Sequence, residues 1–340
     1  MNLLHTLIRQ IEPTHHVYIL MYHGFTDKKN FKGIENYHGK HLHIEKFEEQ
    51  IRYLKNHYKI ISLANLVDAC AHHRVLPPRS MLLTIDDGYK SNFTLAYPLL
   101  KRYQTPATIF ITTDFIDKIF LLWVDRIEYA LNQTTQNHLQ LTINGQFRSY
   151  DLMTVASKKF ADRDIKTKLK KLVSQERDLV IEEIENKLQK KLGADSDVPE
   201  MYAPLEPSQI KEMSNSNLMT IGNHTSSHVI LTACSIEQMR AELDDSKTCT
   251  EAMTNRPCKF FSYPNGEKGD FDDQSKRILK DLGFRCALTS VMGSNDIKDE
   301  VFELKRLNIH NDGNFTGFIC TLSSGGRFLR RIKNANLYGD

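Results

Sequence analysis

The sequence is poor in the features that would place it in a specialised class. Its six cysteines, Cys70, Cys234, Cys249, Cys258, Cys286 and Cys320, include no C-x-x-C pair, so neither a zinc ribbon nor a thioredoxin-like motif is indicated. In a chain of 340 residues, long enough to bury a sizeable core, scattered cysteines read as free thiols rather than a disulfide framework. No apolar run approaches the roughly 18 residues that a membrane-spanning helix needs. The opening MNLLHTLIRQIEPTHHVYIL places His5, Arg9, Glu12 and Pro13 where a secretion signal needs unbroken apolar residues, and no small-residue cleavage site follows. A cytoplasmic location is the expectation, with peripheral contact at the inner membrane face allowed. An excess of one charge is missing too. The formal net charge is +3, there is no arginine-rich tract or zinc-finger spacing, and nucleic acid is not an expected partner.

What is present is the balance of an ordinary globular protein, 40% hydrophobic and 26% charged. Short apolar segments recur along the chain: 17–24, 59–63, 80–88, 107–112, 218–225, 259–266, 286–290 and 304–310. Several end in polar residues capable of chemistry. Helical patterns lie between them. In IEKFEEQIRYLKNHY (44–58), Ile44, Phe47, Ile51 and Leu54 share one face. The segment 235–253 opens with Ser235 and Gln238, a capping-box spacing. The segment 271–284 stops near Gly283. Alternating strands and helices predict a largely parallel sheet covered by helices. Reactive residues at the ends of successive strands predict an α/β fold of the (β/α) barrel type, with irregular strands and a helical insertion.

The insertion is expected at 123–215, between barrel segments 1–122 and 216–325. It shows little strand pattern and is rich in lysine and glutamate, with Leu169, Leu172, Leu179, Ile181, Ile184 and Leu188 at roughly helical spacing. Its lysines read as a solvated face. A basic tail, 326–340, mixes Arg327, Arg330, Arg331 and Lys333 with Phe328, Leu329 and Ile332. It reads as a solvated helix, and a peripheral membrane anchor is the other reading.

Three motifs carry chemistry. In LTIDDGY (83–89), Asp86 and Asp87 stand side by side. Adjacent carboxylates oppose joint ionisation, and a bound cation removes that cost. Gly88 permits the sharp turn that aims both into a cleft. In GNHTSSH (222–228), His224 and His228 are spaced so that one turn can direct both imidazoles at one point. With Asp87 they would form a two-histidine, one-carboxylate face that keeps positions open for water and substrate. FFSYPNG (260–266) is a loop stiffened by Pro264, with Gly266 allowing close approach and a backbone N–H near Tyr263 able to face a ligand. Read singly, each motif is equally a plain turn, a pair of surface histidines or a loop.

Taken in order, the three resemble the NodB-type polysaccharide deacetylases of carbohydrate esterase family four. The matching residues are Thr84-Ile85-Asp86-Asp87-Gly88, His224-Thr225-Ser226-Ser227-His228 and Tyr263-Pro264-Asn265-Gly266, with Met21-Tyr22-His23-Gly24 as an opening strand. The resemblance covers roughly 17–310 without the insertion. It implies a metal-dependent hydrolase that removes an N-acetyl group from a sugar in a glycan or glycolipid precursor. Asp86 would be the general base, and Asp87, His224 and His228 would hold a divalent ion, zinc first, with Co, Ni, Mn or Fe also compatible. The Tyr263 N–H would stabilise the oxyanion. His310, in Leu307-Asn308-Ile309-His310, would be the general acid; His23 is the rival for that role and otherwise a substrate contact.

Departures from the family pattern matter as well. Ile85 stands where an aromatic is usual, and Val229 replaces a proline. The third motif lacks its leading arginine, and Arg306 from another strand is the available substitute beside Asp86. Two other functions use the same residues: hydrolysis of an O-acetyl ester or a cyclic amide, and carbohydrate binding without catalysis.

Overall fold

The structure is a computed structural model that describes residues 16–117, 121–193, 198–311 and 314–323. Residues 1–15 and the tail 326–340, on which the expectations about secretion and membrane contact rest, lie outside them. Among the described residues no helix is long and apolar enough to cross a membrane.

The described residues form strands β1 (Tyr18–Tyr22), β2 (Gly24–Thr26), β3 (His41–His43), β4 (Lys59–Ile60), β5 (Ser80–Ile85), β6 (Ala107–Ile111), β7 (His138–Ile143), β8 (Gln146–Asp151), β9 (Met219–Asn223), β10 (Phe260–Ser262), β11 (Cys286–Met292) and β12 (Leu304–Asn308), of which β3, β7 and β8 lie outside the apolar segments. The order β1-β12-β11-β10-β9-β6-β5 closes through a β1–β5 pairing into a seven-stranded parallel barrel, with β4 added at the start of β5. This is the expected (β/α) barrel. Its wall is uneven: β9 and β10 share the single pair Phe261↔Asn223, and the β11–β12 register shifts between Leu288 and Met292.

Period-two alternation sorts each strand between the barrel interior and the helices outside. Ile19, Leu82, Phe110, Phe260, Leu288 and Leu304 meet inside, where Leu63, Leu66 and Val67 of helix Leu63–His72 join them. That helix plugs the end of the barrel where the strands begin. Outward residues such as Leu20, Leu83, Ile85 and Ile109 pack against helix Ile44–His57 and helix Pro207–Asn215. Further toward the C-terminal strand ends, the inward side chains turn polar: Thr84, Asp86, His224, Ser262 and Arg306, all buried. The barrel axis thus runs from an apolar floor to a polar mouth at the C-terminal strand ends.

The insertion has its own core of Trp123, Ile127, Leu131, Leu141, Ile165, Ile181 and Ile184, with Ile34 contributed by an early loop. Helices Trp123–Gln133, Val155–Leu169 and Ser174–Leu188 supply most of it. The expectation of little strand structure is corrected here. β7 and β8 form an antiparallel hairpin closed by Asn144 and Gly145, both at positive φ (50° and 70°). The alternation in HLQLTI and the Asn-Gly pair are a strong hairpin signal, masked by the charged helices that follow. Leu179 is also placed differently from its neighbours in spacing: it is exposed, while Leu169, Leu172, Ile181, Ile184 and Leu188 are buried.

Gly222 shows how tightly the wall fits around the mouth. A Cβ there would lie 2.5 Å from a ring carbon of Phe110 and 3.0 Å from the Phe260 carbonyl. Overpacking of this kind costs about 1–3 kcal/mol. Gly222→Ala is therefore expected to lower unfolding free energy by about that amount in urea titration. An unchanged midpoint would contradict a close-packed wall at this point.

Candidate active site

Three chain segments converge at the mouth. Asp86 and Asp87 follow β5, His224 and His228 follow β9, and the end of β6 joins the two groups. The Thr112 N–H donates to the Asp87 carbonyl (3.2 Å), and the His224 N–H donates to the Ile111 carbonyl (2.9 Å). Thr113 and Asp114 donate to the Thr225 and Ser226 carbonyls at 3.3 and 3.0 Å. This clamp was not read from the sequence, because a Thr-Thr-Asp stretch carries no distinctive pattern.

The backbone is bent to fit. Asp87 (φ 78°), Thr225 (65°) and His228 (56°) are non-glycine residues in the left-handed region, and Gly88 follows at φ 94°. Such conformations are uncommon outside glycine and cluster at functional sites. They also explain why Asp86 and Asp87, neighbours in sequence, face different partners.

Asp87, His224 and His228 place one ligand atom each within 4.8 Å of one another. The Asp87 Oδ1 is 3.6 Å from Nε2 of His224 and 3.4 Å from Nε2 of His228. Bonds of about 2.0–2.1 Å at a tetrahedral angle put neighbouring donors roughly 3.3 Å apart. The spacing suits a small divalent ion. Protonation points the same way. Nδ1 of His224 lies 2.7 Å from the Ser262 carbonyl, which only accepts, so Nδ1 carries the hydrogen and Nε2 keeps its lone pair. Burial pushes the His224 pKa down to about 4, so the ring is neutral at pH 7. Burial alone would raise the Asp87 pKa, but the His228 hydrogen bond and the charge of Lys40 hold it well below the ordinary value. An imidazole lone pair and a carboxylate oxygen therefore face each other in a buried space, an arrangement that a cation between them relieves.

Asp86 has a different environment. Arg306 donates from its two terminal nitrogens to Oδ1 (2.8 Å) and Oδ2 (2.7 Å), and the Ser262 hydroxyl donates to Oδ2 at 3.1 Å. The remaining Arg306 donors reach the Thr289 carbonyl, the Thr84 hydroxyl and the Ser262 hydroxyl. All five N–H groups of a guanidinium have an acceptor. Burial pushes the Asp86 pKa up; the charge of Arg306 and its hydrogen bonds outweigh it and hold the carboxyl below its ordinary range. Arg306 thus occupies the place beside Asp86 left by the missing motif arginine.

His23, directly after β1, is coupled electrostatically to both aspartates, but burial outweighs their pull and lowers its pKa. His310 lies two residues past β12, with the strand parity of Arg306, and lines a recess with Gln50, Asn308, Phe315 and Phe318. Tyr263 requires a correction. Its N–H donates to the Leu288 carbonyl (3.0 Å), its hydroxyl donates to the Phe302 carbonyl (3.1 Å), and its ring stacks on Phe271. The N–H expected to meet an oxyanion is spent in the strand ladder. Among the described residues the N–H of Asn265, at φ 56°, makes no hydrogen bond. A second feature was also missed: Lys40 pairs with Asp125 (2.5 Å) and the Tyr89 hydroxyl, and its charge acts on Asp87. Asp125 belongs to helix Trp123–Gln133, so the insertion braces the turn that carries the aspartates.

With this geometry in place, comparison with known proteins identifies the class. The sequence profile of the polysaccharide deacetylase family matches residues 73–287, and the chain belongs to that family. Poly-beta-1,6-N-acetyl-D-glucosamine N-deacetylase of Escherichia coli (strain K12) is 38% identical over 60 residues, which is 17% of this chain and 9% of that protein. The protein of the same name from Staphylococcus aureus (strain MSSA476) is 35% identical over 86 residues, 25% of this chain and 28% of that one. These shared stretches span less than a third of either relative. YxkH of Bacillus subtilis (strain 168), a candidate polysaccharide deacetylase, is 19% identical over 294 residues, covering 86% of this chain and 70% of that protein. Among solved structures, Streptococcus pyogenes deacetylase PplD in complex with acetate superposes with a TM-score of 0.60 at 18% identity, over 92% of this chain and 100% of that one. A de-N-acetylase from Aggregatibacter actinomycetemcomitans gives 0.59 at 17% identity, over 90% and 99%. At such identities the two structures establish the shared fold.

The His224 environment makes the metal-free protein sensitive to pH. Its pKa is about 4 in the fold against an ordinary 6.5, so the unfolded chain binds more protons between those values. Stability then rises with pH across that window and is lost as pH falls toward 4. Denaturation midpoints of metal-free protein are expected to drop from pH 7 to pH 4.5, with a shallower drop in His224→Asn. Equal slopes in the two proteins would show that His224 is not the group responsible.

Proposed function

We propose that this chain is a metal-dependent hydrolase that removes the N-acetyl group from a sugar in a glycan or glycolipid. The carrying observation is the Asp87, His224 and His228 cluster standing beside an Arg306-locked carboxylate at the barrel mouth. The amide-bonded substrate draws support from relatives whose names specify N-deacetylation of N-acetylglucosamine polymers.

In this reading Asp87, His224 and His228 hold a divalent ion, with zinc the best match to the donor set. Such an ion supplies Lewis acidity, polarising an acyl carbonyl and acidifying water. Asp86 is the general base. Its Oδ2 accepts from Arg306 and Ser262, whereas Oδ1 accepts from Arg306 alone. Oδ1 therefore keeps a lone pair for the water proton. Pairing with Arg306 keeps Asp86 ionised and fixed in direction, at the expense of basicity. The Asn265 N–H, in the third motif, is the group we assign to the developing oxyanion, a contribution of about 3 kcal/mol where measured in other enzymes. His310 protonates the departing amine, and His23 tunes the two aspartates.

Acetate release from N-acetylglucosamine oligomers, with zinc content measured alongside, tests these roles. Asp86→Asn is expected to keep its metal and lose about 10²–10⁴ in rate, the range for a positioned base. Asp87→Asn is expected to lose metal and activity together. Full activity in Asp86→Asn, or no acetate release by the native protein from any N-acetylated sugar, would defeat the proposal. The acid is tested separately: His310→Ala should cost at least tenfold in rate, and a larger loss in His23→Ala would move the role to His23.

A further inference from the structure

The loop that carries His224 and His228 closes over a carboxylate from another element. Glu242, on helix Ile236–Thr254, accepts from the backbone N–H groups of Ser226 and Ser227 (both 3.0 Å, to Oε2) and from the Ser227 hydroxyl (2.5 Å, to Oε1). The same helix face continues inward. The Ser246 hydroxyl donates to Oδ1 of Asn223 (2.8 Å), and the Asn223 amide donates to the Thr250 hydroxyl (3.1 Å). Glu242, Ser246 and Thr250 recur every four residues, which on a helix is one face.

We infer that Glu242 is the positioning residue of the proposed metal centre, a template that fixes the path of the chain between its two histidine ligands. The inference rests on that metal-site reading. Its physical basis lies in the loop's shape. Positive φ at Thr225 helps turn the consecutive N–H groups of Ser226 and Ser227 toward one point, where both meet the same Glu242 oxygen. Without the carboxylate these donors would lose their partner in a part-buried place, and the loop would relax toward ordinary backbone angles. His228, one residue beyond Ser227, would move away from Asp87. Elsewhere the loop is held by the Thr113 and Asp114 N–H groups on its carbonyls, by its Thr225 N–H on Oδ1 of Asn223, and by its Ser226 hydroxyl on the Glu242 backbone carbonyl. Those bonds fix Thr225 and Ser226 but leave Ser227 to Glu242. Charge on Glu242 is secondary to the reach of its acceptor oxygens.

The test is zinc affinity of the metal-free full chain, measured by competition with a chromophoric chelator. Glu242→Ala should weaken zinc binding at least tenfold, within the 10–100-fold range typical of groups that orient metal ligands. Glu242→Gln keeps an acceptor at the same reach and should stay within about threefold of native. Glu242→Asp keeps the charge but falls one methylene short and should lose about as much as Ala. Should the Ala variant fail to fold, the Gln and Asp pair carries the same comparison. Native affinity in Glu242→Ala or Glu242→Asp, or a Gln variant as weak as these, would overturn the positioning role while leaving the metal site standing. A native protein that binds no zinc would overturn the metal-site reading itself, and this inference with it.

Discussion

The ion pair between Arg306 and Asp86 organises the mouth of this barrel. Both groups are buried in the barrel axis, where an isolated charge would be far too costly to keep. The pair is tolerated because it is bidentate and every guanidinium donor is used, on Asp86, Ser262, Thr84 and the Thr289 carbonyl. Those acceptors come from or directly follow β5, β10 and β11, and Arg306 itself from β12, so one side chain ties together strands from across the ring. Removing either partner would leave a buried unpaired charge. The same contact that closes the polar layer also sets the direction and ionisation of Asp86.

Around this anchor Asp87, His224 and His228 are held by backbone rather than by packing alone. Asp87 and His228 adopt left-handed conformations that their side chains disfavour, and hydrogen bonds from Thr112, Thr113 and Asp114 hold the turns in place. Rigid apolar layers beneath provide the platform, from Leu82, Phe110 and Leu304 down to the plugging helix. Strain at the mouth is thus supported by close packing at the floor. The insertion contributes from the side, through Asp125 on Lys40 and Tyr89. It is part of the machinery that shapes the mouth, with a core of its own.

Much of the architecture was legible locally. The periodicity of 44–58, the Ser235 and Gln238 cap, and the apolar runs ending in Asp86 or leading into His224 report backbone preferences set within a few residues, and each appears at the expected place. The β7–β8 hairpin was equally local, since alternation and Asn144-Gly145 announce it. Tyr263 illustrates the limit. Its motif position is plain, but whether its N–H faces a ligand or a neighbouring strand depends on where Leu288 lies.

The amino-acid sequence by itself determined which segments become strands and helices, and which reactive side chains stand at strand ends. Period-two alternation is enough to put Thr84, Asp86 and Arg306 on the inward rows once a barrel exists. Only the tertiary structure decided who meets whom. Arg306 reaches Asp86 across 220 positions of chain, and Glu242 reaches Ser226 across 16. Such pairings depend on the order in which the ring closes and on the exact register of its walls. Local propensity carries no record of either, because the energy that selects them arises only when distant surfaces are packed together.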